Sequence, residues 1–76
     1  MTKFSYINEN LDRIKFDVRI GLIPCSILRH FAIYSRFDYY KKLGSKYTEA
    51  IICTQNDFQV TEQWICRIIK NMESEV

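Results

Sequence analysis

The chain has 76 residues, 47% of them hydrophobic and 26% charged, with a net charge of +2. That is enough for one domain and too short for two cores. So mild a positive charge is by itself weak evidence for nucleic acid, so any such reading rests on where the charges sit. Two Gly and one Pro leave few breakpoints, which suits helices better than a sandwich of short strands. A chain of this size buries only about 60% of its unfolded surface, so stability is marginal and a partner helps.

The first predicted element is one amphipathic helix. Phe4, Ile7, Leu11, Ile14 and Val18 step by three and four, the spacing of one helical face. Thr2 or Ser5 serves as its N-cap, Glu9 and Arg13 make a minor surface pair, and Gly21 is the first strong stop signal. No apolar stretch follows a basic start, as a secretory signal would require. The longest nearly uncharged run, Ile20 to Leu28, is about half a membrane span. The expectation is a cytoplasmic protein without a membrane segment.

Pro24 falls where the first turn of a second helix would welcome it. Ile27, Leu28, Phe31, Tyr34 and Ser35 form one face of that helix, and Ile33, Phe37 and Tyr40 form another, nearly opposite. A helix apolar on two sides is either central in its domain or part of a subunit interface. In the second case Ile33, Phe37 and Tyr40 would join two copies as a homodimer. Lys41 and Lys42 suit the negative pole at the helix end, and Gly44 supplies the cap. This N-terminal helical part covers residues 1–44.

Ser45 or Thr48 starts the third helix, whose inward stripe is Tyr47, Ile51, Thr54 and Phe58, with Ala50 and Gln55 on its flanks. After the turn Phe58-Gln59-Val60, Thr61 caps a last helix that runs to about Glu73, with Glu62 at its positive pole. The polar tail Glu73 to Val76 is expected to fray. Within the last helix Ile65, Ile68, Ile69 and Met72 face one way, and Gln63, Cys66, Arg67 and Lys70 face the other. Trp64 falls on the boundary, where a core-covering role is the simpler reading. A recognition helix needs this segregation, because its back locks into the domain while its front enters the major groove.

The string Asp57-Phe58-Gln59-Val60-Thr61-Glu62-Gln63-Trp64-Ile65-Cys66-Arg67-Ile68-Ile69 resembles a stretch found in many bacterial helix-turn-helix regulators. The C-terminal half of Mor-type phage transcription activators is similar, including a lead-in matched here by Tyr47 to Ile51. The resemblance covers about 26 residues, 47–72. It implies that Val60 is the turn hydrophobe, that Ile65 and Ile68 are buried anchors, and that Thr61, Glu62, Gln63, Cys66 and Arg67 lie where such motifs meet DNA. Two positions depart from the pattern. Gln59 stands where Gly is usual, which implies a strained positive φ of order 1 kcal/mol, and Gln55 stands where a small residue lets the helices cross closely.

The whole is therefore expected to be an all-α, single-domain protein of about four helices, with a helix-turn-helix over residues 47–73. The expected function is sequence-specific binding of double-stranded DNA by a small bacterial regulator. Gln63 and Arg67 would read bases, while Thr61 and Lys70 hold phosphates beside Cys66, and Arg36, Lys41, Lys42 and Lys46 add further backbone contacts. The alternative is a helical protein-interaction module. Enzyme chemistry has no support: no paired carboxylates stand with a base, no nucleophile lies beside a histidine, and no glycine-rich phosphate loop occurs. Cys25, Cys53 and Cys66 form no CxxC pair, and His30 has no cysteine at a zinc-ligand spacing. They read as reduced thiols and a surface or core-edge histidine, with neither metal nor cofactor implied.

Overall fold

The Thr2 hydroxyl accepts the Ser5 N–H at 3.1 Å and starts the first helix, α1 (Lys3–Glu9), in a computed structural model that describes residues 1–76. The single long helix expected here is two. α1 stops at Asn10, whose backbone leaves the helical region (φ −117°, ψ 27°), and α2 (Leu11–Arg19) follows at once. The Asn10 side-chain amide donates to the Tyr6 carbonyl at 2.9 Å, a local bond of the kind that lets asparagine interrupt a helix. The apolar stripe survives the break, since Ile7 and Ile14 both reach the core. Spacing alone could not reveal the interruption, and five helices result instead of about four.

Gly21 ends α2 with φ 86°, where an L side chain would be strained. Pro24 lies just ahead of α3 (Ser26–Lys42) rather than in its first turn, and its carbonyl accepts the Ile27 N–H at 3.2 Å. Gly44, with φ 97°, turns the chain into α4 (Tyr47–Phe58), whose N-cap is Lys46, not Ser45 or Thr48. α5 (Glu62–Met72) completes the set. No helix is long and apolar enough to cross a membrane.

The two apolar sides of α3 belong to a central helix, packed against α1, α4 and α5. Ile33 keeps 0% of its surface exposed, and Tyr34 and Phe37 are also buried within the one chain. Ile33 and Phe37 therefore cannot supply the homodimer face expected of them. Tyr40, the third member, is half-buried and donates its hydroxyl to Asp57 Oδ2 at 2.6 Å. Around Ile33 and Phe37 gather Ala50 and Ile51 of α4 and Ile65, Ile68, Ile69 and Met72 of α5 in one buried cluster. The only buried polar residue, Thr54, donates to the Ala50 carbonyl at 2.8 Å, so its hydroxyl is satisfied locally. α2 is the most lightly seated helix, packing chiefly against α1. Only Ile14 of its residues is buried, while Phe16 faces solvent.

The C-terminal tail, expected to fray, is paired with the N-terminal residues. Lys3 N–H donates to the Ser74 carbonyl at 2.8 Å and Val76 N–H to that of Met1 at 3.1 Å, around an antiparallel bridge between Thr2 and Glu75. Two side-chain bonds reinforce it, Lys3 Nζ to Asn71 Oδ1 at 2.9 Å and Tyr34 Oη to Glu73 Oε2 at 3.0 Å. The tail is polar, as read, but α1 packs against α5 and offers its backbone a partner.

Candidate nucleic-acid interface

α4 ends because Gln59 turns left-handed (φ 53°, ψ 47°), and its N–H closes on the Gln55 carbonyl at 2.7 Å. It is the only non-glycine residue with positive φ in the chain. Val60 then packs against the core, and Thr61 takes an extended backbone (ψ 156°). The Thr61 Oγ1 accepts the Trp64 N–H at 3.2 Å, while the Thr61 carbonyl accepts that of Ile65 at 3.1 Å. A three-residue turn, Gln59 to Thr61, thus reverses the chain and starts α5 with a capped end.

α5 has the two sides expected of it. Ile65, Ile68, Ile69 and Met72 are buried, whereas Gln63, Arg67 and Lys70 are exposed. Lys46, at the start of α4, is exposed as well. The ion pairs of the molecule join the N-terminal amine to Glu75, Arg36 to Asp57 at 3.8 Å, and Lys42 to Asp38 at 3.0 Å. Arg67, Lys70 and Lys46 take part in none, so their charge is available to an external anion. Of the flanking cations, Arg36 and Lys42 already face acids, which reduces their value as phosphate contacts.

Cys66 departs from the expectation. It is half-buried against the core cluster instead of lying open beside Arg67. A helix turns about 100° per residue, so Cys66 follows Ile65 onto the flank of the helix and not onto its outer side. There it neighbours Tyr47, whose hydroxyl pKa is raised by burial first and by the adjacent thiol second. Cys66 drops out of the candidate interface, leaving Thr61, Gln63, Arg67, Lys70 and Lys46.

Trp64 occupies the boundary as read, 38% exposed. Its ring meets His30 of α3 edge-on, with centroids 5.4 Å apart and planes at 73°. Sequence reasoning missed this contact. His30 and Trp64 are 34 positions apart, and only the crossing of α3 and α5 brings them together. Arg67 and Asn71 line the same shallow depression beside the pair.

No family model matches the chain, and no curated protein or solved structure is significantly similar to it.

Proposed function

We propose that the chain is a small cytoplasmic DNA-binding regulator in which α4, the turn and α5 act as a helix-turn-helix and α5 reads the major groove. One observation carries the reading: α5 is locked into the core along one side and holds two cations without acid partners, Arg67 and Lys70, on the other. The left-handed residue at Gln59 supports it, because the resembling motifs place their glycine at that position. Gln63 is suited to an adenine edge and Arg67 to guanine O6 and N7. The Thr61 oxygen accepts the Trp64 N–H, which leaves its proton to donate to a phosphate. Lys70 and Lys46 hold phosphates as point charges. Pairing of two copies would have to use a face other than Ile33, Phe37 and Tyr40.

A helical protein-interaction module is the second reading. Phe16, Ile20 and Leu22 favour it, an exposed apolar group in and after α2 that Leu22 leads at 74% exposure.

Selection of random duplex DNA by gel shift tests the choice. The expected result is a retained sequence class whose affinity falls by roughly 1–3 kcal/mol, with relaxed base preference, in Arg67→Ala. Lys70→Ala is expected to weaken all duplexes evenly and to make the salt slope shallower by about one unit. No retained duplex at low salt, or an unchanged affinity in Arg67→Ala, would favour the protein-interaction reading.

A further inference from the structure

On the side of α5 flanked by α1, α2 and α3 lies a cleft of about 360 Å³, which shares His30 and Asn71 with the depression beside Trp64 and Arg67. Its volume falls in the range of small-ligand sites, roughly 300–1,000 Å³. The floor is apolar, built from the buried Ile7, Ile14 and Met72 with half-buried Ile27 beside them. Lys3 of α1 and Arg13 of α2 also line it, and neither is in an ion pair. The Lys3 ammonium donates only to the amide oxygen of Asn71, and Asp17 is the one acidic side chain on the wall. Val76, the terminal residue, also lines the cleft, so its positive character rests on the unpaired Lys3 and Arg13 themselves, which above an apolar floor complement a ligand with a greasy body and a negative head.

We propose that this cleft binds a small organic carboxylate whose apolar part rests on Ile14, Ile27 and Met72 and whose carboxylate is held by Lys3 and Arg13. A guanidinium takes a carboxylate through two parallel N–H donors, which makes Arg13 the selective contact. The site is wired to the proposed reader. Met72 and Asn71 belong to α5, and His30, which also lines the cleft, touches Trp64. Occupancy therefore biases how α5 sits on α3. The effect on DNA rests on the proposed function above, whereas binding of the carboxylate does not.

The full chain is titrated with 3-phenylpropanoate and, separately, with the neutral 3-phenylpropanamide, followed by amide NMR shifts and Trp64 fluorescence. The acid is expected to move the Tyr6, Ile14, Ile27 and Met72 signals and to bind about tenfold or more tightly than the amide, the increment of a charge-assisted contact. Arg13→Gln, an exposed change that leaves the core intact, is expected to reduce that preference several-fold, with Lys3 retaining the remainder, and an unchanged preference would overturn the assignment of Arg13. Absence of shifts at millimolar acid, shifts centred elsewhere, or equal affinity for acid and amide overturns the site. If the acid binds but Trp64 emission stays constant, the coupling to α5 is overturned and the site stands. Both readouts are independent of DNA, so failure of the DNA reading shows separately as an absence of duplex binding.

Discussion

Gln59 holds a left-handed conformation, φ 53°, that glycine would hold more easily. A left-handed L residue costs roughly 1 kcal/mol, while glycine adds unfolded-state entropy in return. Gln59→Gly is therefore expected to raise stability by about 0.5–1 kcal/mol in urea unfolding; a loss would mean that the side chain supports the turn. Tyr34 makes a second prediction at this scale. Its burial first, and then its hydrogen bond to Glu73, push the hydroxyl well above its usual range. The folded state thus keeps a proton that the unfolded chain releases near pH 10. The stabilisation is fully present below about pH 10 and is lost as pH rises beyond it. In Tyr34→Phe, stability at pH 7 is expected to drop by about 1 kcal/mol. Its alkaline decline is expected to be shallower than that of the unchanged chain, and parallel melting curves from pH 8 to 11 would refute the assignment.

At the scale of the element, α5 separates scaffold from surface within two positions. Ile65 is fully buried, so Ile65→Ala is expected to cost about 2–4 kcal/mol of folding stability. Arg67 is exposed, so Arg67→Ala is expected to leave thermal melting within about 0.5 kcal/mol of the parent. If Arg67→Ala melted the protein, the residue would belong to the scaffold. The sequence foretold this helix well because its signals are local, Thr61 as cap and a 3.6-residue stripe, although the turn lies one residue later than read, with Phe58 still in α4. Cys66 was misplaced because the flank of a helix has no sharp edge, and a half-turn assignment depends on what α4 covers. The break at Asn10 was invisible for a related reason, since the apolar spacing runs through it unaltered. The two apolar sides of α3 were read with two partners open, and the chain's own helices, not a second copy, take up Ile33 and Phe37. Whether such a helix meets its own chain or another copy depends on where α4 and α5 return.

In the molecule as a whole, α3 is the axis on which the other elements converge. Ile33 and Phe37 meet residues of α4 and α5 on one side, while Phe4 of α1 stacks on Phe31 with centroids 5.2 Å apart. A charge placed there has no solvent to turn to. Phe37→Glu, which a dimer face would have tolerated, is expected to unfold the chain because an unpaired buried carboxylate is among the most destabilising changes known. Circular dichroism checks this directly, and a folded monomer would contradict it. The paired ends were beyond sequence reasoning because a bridge between Thr2 and Glu75 depends on every element between them.

The light seating of α2 has a consequence in time. α2 rests chiefly on α1, with Ile14 its one buried side chain and Leu11 and Val18 packed at the edge of the core, so it is the helix best placed to lift away from the contacts around Ile33 and Phe37. Amide hydrogens from Ile14 to Arg19 are therefore expected to exchange through a local opening, far sooner than those from Ile33 to Phe37, which await global unfolding. Low urea should leave the first group's rates nearly unchanged while accelerating the second, since a local opening exposes little new surface. If the cleft binds a ligand as proposed, such a motion would open the wall that Arg13 and Ile14 line and give the ligand a way in. If both segments exchanged at one rate with one urea dependence, α2 would instead open only when the whole protein does.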